Sequence, residues 1–216
     1  MRIDQIGEAA VIRLIEHTVS TRGGVRVGIG DDACVLAEGT VVTTDTYAEG
    51  VHFDFSYMTF EQVGTRCACG AISDVVAMGA QPKVVVVALG LPGSTSSSAL
   101  RALYQGIDKV CEEMECEVAG GDIITLDRLV LTLTVIGRAA KPKLRSGARP
   151  GDSLYVTGSL GTAEAGRLVL AHAAQGRTRK GRRRMVVPRW GKILADRHLR
   201  PRPRLEVMKA LGPKIG

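Results

Sequence analysis

A chain of 216 residues that is 45% hydrophobic and 24% charged has ordinary globular composition, and its length allows one large domain or one domain plus part of another. Five cysteines (Cys34, Cys67, Cys69, Cys111 and Cys116) lack zinc-type paired spacing and follow no signal-peptide pattern, so reduced thiols in a cytoplasmic protein are expected and a disulfide scaffold is excluded. The formal charge of +7 is local, because residues 177–204 hold 12 of the 29 Lys+Arg and one acid, Asp196, leaving 17 basic against 21 acidic residues elsewhere.

Ile3, Ile6, Ala10, Leu14 and His17 recur at spacings of three or four, which predicts an amphipathic helix over residues 3–19, ended by Thr21-Arg22-Gly23-Gly24. Residues 25–29 and 40–44 read as strands joined through a turn at Ala37-Glu38-Gly39, each delivering an aspartate at or just past its end. Thr59-Phe60-Glu61-Gln62 has the form of a capping box, so a helix should run from about Phe60 to Met78 and stop at Gly79. On that helix Asp74 falls in the arc of Val63, Cys67, Ala71 and Met78, so it points inward and needs a cation, a metal or several donors. Cys67 and Cys69 point different ways and read as packing residues.

Residues 83–89 form a β-branched run expected to be buried on both faces. The most hydrophobic stretch, residues 84–91, is too short to span a bilayer. Residues 94–98 supply caps for a helix marked by Ala99, Leu103, Ile107, Val110 and Met114. A brief strand at Glu117-Val118-Ala119 then leads into Gly120-Gly121-Asp122, and residues 129–136 alternate as a half-buried strand. Gly137 and Pro142 close a first domain, 1–144. The remainder, 145–216, opens a second with a turn at Pro150-Gly151-Asp152, a strand at residues 154–157 and helices at 161–174 and 205–211, but holds too few apolar residues for a core of its own. The arginine-rich residues 177–184 read as a solvated loop. The fold class expected is α/β (α+β), a mixed sheet with flanking helices plus an incomplete second α/β domain.

Asp32, Asp45, Asp74 and Asp122 arrive from different elements, and scattered single carboxylates suit magnesium, which takes one or two per ion together with phosphate oxygens. Thr43 and Thr44 offer supplementary oxygens. Gly28, Gly30, Gly120 and Gly121 let backbone N–H groups approach phosphate. There is no Walker A motif, and Gly28-x-Gly30 lacks the third glycine of the dinucleotide fingerprint. For any single Gly-Asp pair a turn is the simpler reading, and for His52 a structural histidine.

Six motifs taken together narrow this. Gly28-Ile29-Gly30-Asp31-Asp32-Ala33, Thr43-Thr44-Asp45-Thr46, Glu49-Gly50-Val51-His52-Phe53, Ser73-Asp74-Val75-Val76-Ala77-Met78-Gly79-Ala80, Gly120-Gly121-Asp122 and Arg145-Ser146-Gly147-Ala148-Arg149-Pro150-Gly151-Asp152 resemble, in order and spacing, the thiamine-monophosphate kinase family. That family belongs with aminoimidazole ribonucleotide synthetase, the PurM-like fold. The resemblance extends through His198-Leu199-Arg200-Pro201-Arg202-Pro203-Arg204 and implies transfer of the ATP γ-phosphate to thiamine monophosphate, giving thiamine diphosphate. It further implies that Asp32, Thr43, Thr44, Asp45, Asp74 and Asp122 hold Mg2+. Gly121, Asp122 and Arg145 would contact ATP, and His52 the thiamine phosphate. Asp31 is a weaker candidate. No protein nucleophile or general base is assigned, since an anionic acceptor phosphate needs neither. A homodimer through the first domain is implied, with ATP bound near its interface, and no membrane role. An Asp-x-Ser-Asp-Gly-Leu segment of the family has no counterpart before Gly216, so impaired activity of a truncated chain is expected. The competing readings are a sibling ATP-using enzyme, an inactive dimerisation or nucleotide-binding module, and nucleic-acid binding through residues 177–204; the last lacks interleaved aromatics, Trp190 standing alone there.

Overall fold

The computed structural model describes residues 2–20, 22–175 and 186–214. Thr21 and the arginine-rich residues 177–184 therefore lie outside the described residues. Six strands form one mixed sheet: β1 Val25–Val27, β2 Cys34–Leu36, β3 Thr40–Ala48, β4 Gln81–Leu91, β5 Glu117–Thr125 and β6 Val130–Arg138, in the order β1-β2-β3-β6-β4-β5. Neighbours are antiparallel except β4 and β5, which are parallel and joined by a helical crossover. The helices are α1 Glu8–Thr18, α2 Phe60–Ala77, α3 Ser97–Glu113, α4 Thr162–Gln175, α5 Lys192–Leu199 and α6 Leu205–Leu211. The mixed sheet with flanking helices is the architecture expected from the sequence.

Local chemistry sets the helix starts. Thr59 Oγ1 accepts from Gln62 N at 3.3 Å while Thr59 N donates to Gln62 Oε1 at 2.9 Å, the expected reciprocal cap of α2. Ser96 caps α3 through Ala99 N. The two helices cross at backbone contact: a Cβ on Gly64 would come within 2.0 Å of Leu103 O, and one on Gly106 within 2.0 Å of Glu61 O. Replacing either glycine by a larger residue would force the helices apart.

These helices cover one face of the sheet only, which corrects the expectation of a doubly buried β4. Val85, Val87 and Leu89 are buried with Leu131, Leu133 and Val135 against α2 and α3, whereas Lys83 and Ala88 on the other face are exposed. Strand propensity was correct there; burial of the second face would have required a second helix layer. β5, at the sheet edge, is exposed along nearly its whole length, including Ile123 (61%) and Ile124 (53%).

Beyond the sheet two differences stand out. Residues 154–157 form no strand, and Leu154 and Tyr155 are about as exposed as side chains become (90% and 89%), because among the described residues no strand lies alongside to complete a ladder. α5 was not anticipated; it crosses α4 where Gly166 admits the backbone of Leu194. The end of α5 and the segment after it dock on α2: Arg66 Nη1 donates to His198 O at 3.1 Å, Cys69 Sγ to Pro201 O at 3.1 Å, and Leu205 enters the sheet domain's own core. The shortage of apolar residues noted in the sequence is met by sharing that core.

Candidate functional site

The site is built where β2 begins. The β2–β3 register stops at Cys34↔Val42, so from Thr43 onward β3 has β6 as its only ladder partner and its other edge faces the turn carrying Gly28 to Asp32. Alternation then sends Thr43, Asp45 and Tyr47 toward α2, and Thr44 and Thr46 to the open face. On that open face Thr134 Oγ1 donates to Thr44 Oγ1 at 3.2 Å, and the Thr46 and Thr132 hydroxyls are 2.9 Å apart.

On the α2 side the Thr43 hydroxyl lies 3.1 Å from Asp74 Oδ2 and 3.2 Å from Asp32 O, so its single proton is shared between two acceptors from different elements. Asp74 sits in the last turns of α2, half-buried as its place on the apolar arc required. Burial, then the charge of Asp45, push its carboxyl up to about 6; the Thr43 hydrogen bond works in the opposite direction. Asp45 accepts from Tyr47 OH at 2.8 Å. Burial, followed by that bond to Asp45, drives the Tyr47 phenol well above its usual range. The tyrosine hydroxyl occupies the space left by Gly70 of α2, where a Cβ would lie 2.0 Å from it. Neither Tyr47 nor Gly70 was singled out from the sequence; an isolated glycine inside a helical pattern was the available signal.

Arg145 closes the site from a short 3-10 turn, Arg145–Gly147. Its guanidinium pairs with Asp32 through Nη2 and through Nε at 3.2 Å, and its backbone N–H donates to Asp31 Oδ2 at 3.2 Å. Asp32, Thr43, Thr44, Asp74 and Arg145 line one open cleft of about 980 Å³, with Ile12 of α1 among the residues opposite. α1 buries none of its residues, and it presents Glu8, Arg13 and Glu16 beside Ile12 to the cleft.

The remaining candidates lie elsewhere. Asp45 is off the cleft wall, although close enough to act on Asp74. His52 stands beyond the far end of β3, its Nδ1 accepting from Ala48 N at 3.0 Å and its ring edge-on to Tyr47. Gly121 and Asp122 are inside β5. The pairings Thr46↔Thr132, Ala88↔Thr132 and Ala88↔Asp122 put Asp122 on the open face, in the row of Thr46 with β6 and β4 between them. Gly121 has a structural reason to be glycine, since a Cβ there would meet Val87 O at 1.8 Å. The expectation that Asp45 and Asp122 stand at strand ends is thus corrected: both are internal, because long ladders carry β3 and β5 past residues of low strand propensity.

The donors at β3 are all oxygen, the chemistry a hard cation prefers, and Asp74 is a carboxyl held among like charges. Among the described residues no three His, Cys, Asp or Glu side chains gather into a ready-made metal site. Magnesium, which completes its shell with water and phosphate oxygens, fits such an incomplete set. Among the same residues no helix is long and apolar enough to cross a membrane.

The family model for AIR synthase related protein, N-terminal domain, matches residues 30–139. Thiamine-monophosphate kinase of Bacillus subtilis (strain 168) is 34% identical over 206 residues, covering 88% of this chain and 60% of that protein. The enzyme of the same name from Aquifex aeolicus (strain VF5) is 32% identical over 212 residues, covering 97% and 64%. A solved structure of AaThiL complexed with AMPPCP and TMP superposes with a TM-score of 0.85 at 31% identity, covering 98% of this chain and 64% of that one. The chain thus spans less than two thirds of the length of these relatives.

Proposed function

This chain belongs to the AIR synthase related protein family through its N-terminal domain, and on that footing we propose that it serves ATP-dependent phosphorylation of thiamine monophosphate to thiamine diphosphate. The observation that carries the reading is the meeting of Asp32, Thr43 and Asp74 beside Arg145 in one cleft. Likeness to enzymes named thiamine-monophosphate kinase, and to a structure holding an ATP analogue and TMP, supports it.

Residues 1–144 act as the ATP- and Mg2+-binding and dimerisation unit, and residues 145–216 begin a second unit. Asp32, Thr43, Thr44 and Asp74 would hold magnesium at the cleft, with Asp45 behind Asp74 and Asp122 on the neighbouring open face as further candidate ligands, and the ion would supply neutralisation of polyphosphate charge. Thr43 orients the Asp74 carboxylate and ties it to the Asp31-Asp32 turn. Arg145 keeps Asp32 in place and presents its guanidinium to phosphate, a role for which its planar fork suits it. Gly121 and Asp122 contact ATP, and His52, whose Nδ1 is already an acceptor for Ala48 N, turns its Nε2 edge to the phosphate of thiamine monophosphate. The chain works as a cytoplasmic homodimer: the exposed β5 edge and uncovered sheet face, with Ile123 and Ile124, favour a second copy there.

Incubation of the chain with magnesium, ATP and thiamine monophosphate tests this. Formation of thiamine diphosphate, lost in Asp74→Asn, is the expected result. Phosphorylation of a different acceptor with thiamine monophosphate untouched would overturn the substrate assignment.

A further inference from the structure

The C-terminus of α3 carries a pair of thiols that the cleft chemistry does not use. Glu115 is the one non-glycine residue with positive φ (57°) among the described residues. Around it, Glu115 N donates to Glu112 O at 3.2 Å and Cys116 N to Cys111 O at 2.9 Å. These two bonds and the left-handed residue make a Schellman ending, in which the side chains at either end of the bond spanning more residues, Cys116 N to Cys111 O, lie together and ordinarily form an apolar contact. Here both positions are cysteine. Cys111 is 1% exposed, and Cys116 is half-buried.

The two thiols meet across that turn, and their surroundings separate their characters. Proximity to Cys111, and Lys83 nearby, lower the Cys116 thiol despite its burial, whereas the Cys116 neighbour and burial raise Cys111. Cys67 and Cys69, by contrast, are buried and both pushed up to about 12. Cys34 is the other half-buried cysteine.

We propose that Cys116 and Cys111 form a reversible dithiol modification site, Cys116 attacking small disulfides and Cys111 resolving the adduct. The Cys116 thiolate attacks one sulfur of a disulfide RS–SR; a Cys116–SR bond forms, the RS–SR bond breaks and RS⁻ leaves. Cys111 then attacks Cys116 Sγ, its proton passing to the departing sulfur, so that the Cys111–Cys116 bond forms, the Cys116–SR bond breaks and RSH departs. The protein loses two electrons, which reduce RS–SR to two thiols. Cys116 directly precedes β5, and Gln81 Nε2 holds Met114 O at 2.8 Å, so oxidation would fasten the corner between α3 and β5.

The test is to expose the folded chain to oxidised glutathione, trap remaining thiols by alkylation and map the peptides by mass spectrometry over time. A Cys111–Cys116 disulfide should appear first, with modification of Cys34 slower by on the order of tenfold. In Cys111→Ser the expected product is instead a persistent glutathione adduct on Cys116. Because that variant changes a buried residue, the wild-type map decides alone: Cys34 reacting ahead of Cys116, or Cys116 remaining a stable glutathione adduct beside an unreacted Cys111, would overturn the proposal.

Discussion

Thr43 Oγ1 lies 3.1 Å from Asp74 Oδ2, joining strand β3 to the one residue that α2 contributes to the cleft. Replacing Thr43 by Val removes a hydroxyl that both acceptors share, at a cost of about 1 kcal/mol in stability. The carboxyl of Asp74 should then titrate higher still, since that bond is what lowers it. Thr43→Ser should retain most of both properties. Chemical denaturation and NMR titration of the Asp74 carboxyl measure the two effects.

Asp74 itself should make the metal-free protein less stable as pH rises. Its folded value of about 6 lies above the ordinary 3.8, so the folded state holds the proton more tightly. The associated stability is fully present below about pH 3.8 and lost as pH climbs through 6. Asp74→Asn should accordingly stabilise the metal-free chain at pH 8 by roughly 1–2 kcal/mol, a figure reduced for the group's partial solvent access, and change little at pH 3.5. Denaturation curves at the two pH values test the sign.

His198 runs the other way. It is 2% exposed, and burial together with Arg66 and Arg167 depresses its imidazole to about 4. A depressed histidine contributes stability above the ordinary value of 6.5 and loses it as pH falls toward 4. Between pH 7 and 5 the wild type should lose about 1–2 kcal/mol that His198→Gln does not lose. Because His198 O also receives Arg66, increased protease access at residues 186–214 should accompany the loss.

Gly70→Ala should cost about 1–3 kcal/mol, since the new methyl would fall 2.0 Å from Tyr47 OH. Tyr47→Phe in the same chain should restore part of that stability by removing the hydroxyl, at the expense of the bond to Asp45. A double-mutant cycle by denaturation reads the coupling.

Much of this site could be read in advance, and what could not had physical causes. Asp74 was legible because helical periodicity fixes which face a residue occupies. The inward-facing Thr43 followed less directly, since a strand ending at Thr44 gives no hint that β3 continues for four residues beside β6. Long-range pairing extended that strand, just as it carried β5 through Gly120-Gly121-Asp122. The open face of β4 was missed because a valine-rich run looks alike whether one helix layer covers it or two. Residues 154–157 failed the other way: local propensity was right for a strand, but strands need neighbours.

The most direct measurement is calorimetric titration of the chain with AMPPCP, with and without magnesium, in the wild type, Asp74→Asn and Arg145→Ala. Arg145 is largely exposed, so its ion pair with Asp32 should add less than about 1 kcal/mol to stability, and any loss of binding reports on the ligand rather than on folding. Magnesium-dependent binding in the wild type, abolished in Asp74→Asn and weakened in Arg145→Ala, is the expected result. Nucleotide binding that is indifferent to magnesium and unchanged in both variants would contradict a phosphoryl-transfer site at this cleft.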